Sequence, residues 1–319
     1  MCYSARVKQH LRNLERRFGA EIDWPLFEAL FSARMQDSSI KVARALEANF
    51  DEPQTDIQQR IKAHIEAFRT RQEKAWQEEL FKQKKRLADA ERALKVKETK
   101  KALSDVRIAT DKSEKLLKRL ANLRRTDPVP TDSQIFPMYY APVILEEGGK
   151  RLIRPMRYTC RLAGKPANYD ERYPGTYNAR RDSLEGFWSS VYGTHHGLMV
   201  VNSFFENVPN YLFEKRELAP GEQARNIVLE FNPQPPVDML VACLWSHWTG
   251  KGEADLYSFA AVTDEPPPEI AATGHNRCII AIKDENVDEW LSPAGLAKDR
   301  LEAILSDKQR PFYEHRIAA

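Results

Sequence analysis

The chain has 319 residues, room for one large domain or two ordinary ones, and its 42% hydrophobic content is enough for a real core. Four scattered cysteines (Cys2, Cys160, Cys243, Cys278) with no C-x-x-C pair argue against a zinc ribbon or a disulfide framework and suit a reducing cytosol. No apolar run approaches a membrane span, and the start, charged by Arg6 and Lys8, lacks the apolar stretch of a secretory signal.

The net charge of +3 is unevenly spread: between Pro53 and Pro128 there are 21 Lys/Arg against 12 Asp/Glu. In chain order, residues 5–50 read as helical around Leu11–Phe18 and Trp24–Arg34, with Pro25 where a first helical turn tolerates it. From Gln54 to Asp127 there is neither Gly nor Pro. Apolar residues recur there at helical spacing: Ile57, Ile61, Ile65, Phe68, Trp76, Leu80, Leu87 and Leu94, then Leu103, Val106, Leu117 and Leu120. The pattern weakens between Val96 and Lys101, which predicts two long helices folded as an antiparallel hairpin; a single extended helix is the alternative. Its cations, Lys82, Lys84, Lys85, Arg86, Lys100 and Lys101, fit either a solvated coiled-coil face or contacts to nucleic-acid phosphates or a protein partner.

After Pro130 the texture becomes strand-like. Met138–Leu145, Leu198–Phe205, Asn226–Phe231, Met239–Trp245, Tyr257–Val262 and Cys278–Ile282 read as strands, and Asp288–Leu291 and Pro293–Leu305 as helices. The expected fold is α+β: a compact β-rich core (residues 1–50 and 129–319) with flanking helices and an inserted basic helical hairpin (residues 51–128).

Cys2 directly follows Met1. Once Met1 is removed, an α-amine and a thiol sit on adjacent carbons, titrating near ~8 and ~8.5, so part of each is nucleophilic at neutral pH. Such a pair condenses with an aldehyde to a five-membered thiazolidine. Three further passages stand out: Asn178-Ala179-Arg180, Ser203-Phe204-Phe205-Glu206 ending an apolar strand, and His275-Asn276-Arg277 before the strand at Cys278. His195-His196 has no Cys or carboxylate at ligand spacing, so no metal and no cofactor is expected. Trp188, Trp245 and Trp248 read as core.

Together with Met1-Cys2, and in this order, these passages resemble the SRAP family (SOS response-associated peptidase), whose members crosslink to abasic sites in single-stranded DNA. Softer matches are Tyr140-Ala141-Pro142, Pro155-Met156-Arg157-Tyr158, Ala242-Cys243-Leu244-Trp245 and the strand ending at Thr263. The resemblance covers about residues 1–50 and 130–292 and leaves the hairpin outside. This chain departs from the family pattern in lacking Arg after Cys2-Tyr3, lacking Trp after Glu206, and carrying Asn276 where the family has Asp.

The resemblance implies that the Cys2 amine attacks C1′ of the ring-opened abasic sugar and the Cys2 thiol closes the thiazolidine. Asn178 would orient the N-terminal residue, Glu206 would act on its amine, and His275 would give and take protons. Arg180 and Arg277 would hold phosphates, with Arg157 a further candidate and Arg6 standing in for the missing Arg. Tyr158, Pro142 and Thr263 complete the implied DNA surface. Single-stranded DNA with abasic sites is the implied partner, without a membrane, in a cytoplasmic, nucleoid-associated protein. Two other readings are a cysteine-type autopeptidase that removes Met1, and a non-catalytic scaffold that works through the basic hairpin.

Overall fold

The structure, a computed structural model, describes residues 4–318. The first part of the chain runs β1 (Ser4–Val7), α1 (Leu11–Phe18), β2 (Glu21–Ile22), α2 (Trp24–Gln36), β3 (Lys41–Val42) and α3 (Arg44–Glu47). The hairpin helices follow, α4 (Asp56–Val96) and α5 (Lys100–Arg124). Next come β4 (Gln134–Ile135), β5 (Tyr139–Glu147), β6 (Lys150–Tyr158), α6 (Tyr169–Arg172), β7 (Asn178–Arg180), β8 (His196–Pro209) and α7 (Asn210–Phe213). The chain continues through β9 (Asn226–Gln234), β10 (Met239–Trp248), β11 (Leu256–Asp264), α8 (Pro268–Ala271), β12 (Cys278–Ile279) and β13 (Ala281–Ile282). It ends with α9 (Val287–Leu291), α10 (Lys298–Ser306) and β14 (Phe312–Ile317).

Five strands close on themselves. β8 pairs antiparallel with β10, β10 with β11 and β6 with β5, and β5 returns to β8; the β11–β6 contact is parallel. The result is a small mixed barrel, extended by β1 and β4 beside β8 and by β9 and β14. Strand periodicity then sorts the apolar residues onto two faces. Met199 and Val201 of β8, with Val241 and Cys243 of β10 and Phe259 of β11, fill the barrel. The alternating Leu198, Val200, Leu240, Ala242 and Ala260 face the helices, where they meet Phe27, Phe31, Ile61 and Trp290. Both faces are therefore buried, which is why these strands read as near-continuous apolar runs.

The hairpin is antiparallel, since Arg86 of α4 pairs with Asp105 of α5 and Arg124 pairs back with Glu73. Each helix is N-capped by a threonine, Thr55 accepting from the Gln58 amide and Thr99 from the Ala102 amide. The 41-residue α4 docks on α2 only through its first turns, where Ile61, Ile65 and Phe68 are buried. Further out the two helices pack on each other along Ala90, Ala102, Ala109, Ser113, Leu116 and Leu120. This corrects part of the apolar stripe expected on the second helix: Leu120 is buried, but Leu103 and Leu117 face solvent, while Ala102 and Leu116, one position before them, join Ala109 and Ser113 in the seam. Ile61→Ala is expected to lower stability by about 2–5 kcal/mol, read as a lower denaturant midpoint at unchanged slope.

Other expectations shift in detail. β6 and β14 are strands that the pattern did not reveal, Cys278–Ile282 is split into β12 and β13, and the last long helix starts at Lys298 rather than Pro293. Among the described residues no helix is long and apolar enough to cross a membrane.

Candidate proton-transfer and nucleic-acid site

The site forms where β8, β11 and the loop before β12 meet. Glu206 lies near the end of β8 and is fully buried. β1 starts alongside it, with Ser4 opposite Phe205. On the other side, β11 holds β7 in parallel, with Asn178 opposite Ala261 and Arg180 opposite Thr263, and holds β12 through Thr263 and Ile279.

The loop from α8 to β12 delivers His275. Gly274 there has φ +90°, and a Cβ on it would meet the Leu212 Cβ at 2.6 Å, so both conformation and space require glycine. His275 Nε2 then sits 3.2 Å from Glu206 Oε2, and its Nδ1 lies 2.9 Å from the Arg277 carbonyl oxygen. Burial pushes the imidazole down to about 4. With an Nδ1–H donated to the Arg277 carbonyl, the neutral imidazole presents Nε2 to the Glu206 carboxyl. A carboxyl and an imidazole in such contact can pass a proton between them.

Asn178 is buried and accepts from the Tyr158 hydroxyl at 3.4 Å. Tyr158 stacks on Phe259 with ring centroids 5.2 Å apart and meets Tyr177 edge-on. At 1% exposure it orients Asn178 from within the core, and its ring offers no open face to a base. Pro142 is likewise buried in β5, opposite Pro155. Arg157 is buried and held by Asp170, which also binds Arg161 at 2.6 Å. Thr263 is buried in mid-sheet.

The remaining cations lie at the surface. Arg180 is exposed and donates to Asp182 at 3.1 Å; Arg277 reaches the same carboxylate at 3.5 Å. Asp182 therefore bridges the two arginines expected to hold phosphate. Arg6 stacks over Phe205 at 5.2 Å and is paired with the buried Glu230, which also accepts from Ser203 at 3.1 Å and Arg316 at 2.9 Å. A cleft of about 600 Å³ runs beside this strand, lined by Ser4, Arg6, Phe136, Phe205, Glu230 and Arg316. Asp182 and Glu230 do not stand out in the sequence, although Glu230 carries the same signal as Glu206, a carboxylate within an apolar strand.

Cys2 lies outside the described residues. The other three cysteines are buried, and burial holds each as a thiol, Cys160 up to about 12. His196 is packed under Trp290, and among the described residues no three His, Cys, Asp or Glu side chains gather as a metal cluster. On the hairpin, Lys82, Lys84, Lys85, Lys100 and Lys101 are exposed, while Arg86 is tied to Asp105.

No curated protein matches the chain. Several solved structures resemble it, among them three from bacteria. A Bordetella bronchiseptica protein is 14% identical with a TM-score of 0.45, covering 61% of this chain and 90% of that one. A Bacteroides thetaiotaomicron protein is 15% identical with a TM-score of 0.46, covering 64% and 88%. A phage-related protein of B. bronchiseptica is 16% identical with a TM-score of 0.45, covering 61% and 85%. The family model described as SOS response associated peptidase (SRAP) matches residues 105–318, about two thirds of the chain, and spans Asn178, Glu206 and His275. The chain therefore belongs to the SOS response associated peptidase family.

Proposed function

We propose that the protein captures abasic sites in single-stranded DNA as a thiazolidine on Cys2, with Glu206 and His275 moving the protons. The observation that carries this reading is the buried Glu206–His275 pair at 3.2 Å, at the end of the strand beside which β1 begins. Two residues of chain span at most about 7 Å, so a nucleophile at position 2 stays within reach of that strand end from Ser4.

The chemistry then runs in two steps. The amine adds to the C1′ aldehyde, its proton passes to the carbonyl oxygen, and water leaves to give an imine. The thiol next adds across the C=N bond: sulfur bonds to C1′ and the thiol proton ends on nitrogen. Water is the net product. The dehydration needs a proton delivered to the leaving hydroxyl and the attack needs one removed, and the Glu206–His275 pair serves both. Asn178, held by Tyr158, orients the reacting end, and Arg180 and Arg277 take phosphates. The same pair can assist removal of Met1, which exposes the amine. Residues 1–50 and 129–319 form the reacting core in this reading and residues 51–128 an inserted arm.

The test is denaturing electrophoresis of the purified protein after incubation with single-stranded DNA carrying one abasic site. A denaturation-resistant shift, lost in Cys2→Ala and weak on duplex, is expected. Binding with no covalent product, with Met1 shown by mass spectrometry to be removed, would instead identify a scaffold.

A further inference from the structure

Between the root of the hairpin and the core lies a second cleft, of about 270 Å³. Five cations line it, Arg34, Lys41, Arg44, Arg69 and Arg119, against one carboxylate, Glu47. Glu47 is buried and engages Arg34 and Arg69, the latter at 2.6 Å. Arg44 donates to the carbonyls of Asn122 and Arg125 at the end of α5, which fixes that helix to the core. Its charge is disfavoured by burial and by the neighbouring Arg125 and Arg69. Lys41 and Arg119 are exposed and make no ion pair among the described residues. Trp76 closes the cleft, half-buried, with Arg119 5.9 Å from its ring.

Neighbouring residues lead from this cleft towards the one beside β1. Lys41 pairs with Tyr139 across β3 and β5. The Tyr139 ring lies 5.6 Å from Phe136, and Phe136 lines the cleft that contains Ser4. Lys41, Tyr139 and Phe136 thus place a cation and two aromatic rings between the hairpin root and the cleft beside β1. Cations next to rings suit a single strand, whose phosphates take the cations and whose bases take the rings; an acidic peptide would use the charge alone.

We infer that the hairpin-root cleft is a second strand-binding subsite, in which Lys41 and Arg119 hold phosphates and Trp76 stacks a base a few nucleotides from the captured lesion. The inference rests on the proposed function for its substrate class, but its test needs no crosslink. Binding of a lesion-free, single-stranded oligothymidine is measured by fluorescence anisotropy in full-length protein carrying Cys2→Ala, across a salt series. Lys41→Glu with Arg119→Glu is expected to weaken binding about tenfold or more and to flatten the log–log salt slope by about 0.7 for each phosphate no longer neutralised. Trp76→Ala is expected to cost about tenfold with an unchanged salt slope. Lys112→Glu with Lys118→Glu changes the charge equally, on hairpin positions outside the cleft, and is expected to have little effect. Equal weakening in the two charge-reversed proteins would overturn the subsite, as would equal competition by polyglutamate or by thymidine monophosphate. If crosslinking fails while these binding differences hold, the subsite stands and the proposed chemistry falls.

Discussion

Glu206→Gln is expected to slow crosslinking of an abasic single strand by about 10²–10⁴-fold while leaving binding of a lesion-free strand within about twofold. The carboxyl is fully buried and lies 3.2 Å from His275 Nε2. A glutamine keeps the shape, and its amide donates to Nε2, but it cannot take a proton from the attacking amine. His275→Gln should cost a similar factor, and the double variant little more than either alone, because the two groups act as a unit. The pH profile gives an independent readout. The free amine titrates near ~8, so the rate falls as pH drops below that value. A further break is expected near pH 4, where burial places the His275 imidazole, and none near its ordinary value. Quench-flow gels across pH 4–8 would show it; a break near ~6.5 would mean that His275 is not the depressed group.

The parts of this molecule that can be read from sequence are those in which local pattern and tertiary role agree. The hairpin is one: a long segment without Gly or Pro and with apolar residues at helical spacing has few other ways to fold. Its seam is legible only in part: Leu120 is in it as its pattern predicts, but Ala102 and Ala109 look inert beside Leu103 and Leu117, and only the closeness of the two helices selects them. β6 escapes because Lys150, Arg151, Arg154 and Arg157 break its alternation, each being neutralised by a partner distant in sequence. Arg157 is the sharpest case. Its charge suggests a phosphate, yet Asp170 holds it in the interior, and nothing near Arg157 in the chain announces that pairing. Closure of the barrel through the parallel β11–β6 contact is equally invisible to local pattern. Glu206 and His275 are legible only as motif positions; their approach depends on Gly274 and on the register of β8, which short-range reasoning does not supply.

Acid is expected to destabilise the fold well above the range in which carboxylates titrate. His196 is 1% exposed, with its ring 3.9 Å from that of Trp290. The Gly193 amide donates to its Nε2 at 2.8 Å, and Nδ1 faces the Trp290 carbonyl at 3.0 Å. Both nitrogens are thus used in one neutral tautomer, Nδ1–H donating and Nε2 accepting. Protonation of Nε2 would set two donors against each other in a site without water-like dielectric. Burial accordingly pushes the group down to about 3. The unfolded chain binds this proton at the ordinary value near ~6.5. Between the two values the unfolded state holds more protons, so stability is complete above the upper one and declines as pH falls. The slope from His196 alone is about 1.4 kcal/mol per pH unit, or about 2–3 kcal/mol by pH ~4.5. His275, depressed to about 4, adds to the decline in the same window. Carboxylates held low by ion pairs, such as Glu222 at about 2, keep their contribution until pH falls further. Urea midpoints measured from pH 7.5 to 4.5 should therefore drop steadily. His196→Phe retains the stacking and loses the hydrogen bonds, so its midpoint should start lower and fall less steeply, by about one proton's worth of slope. An unchanged slope would mean that His196 binds its proton at the ordinary value in the folded protein too, and the Gly193 contact would then be lost at mildly acid pH.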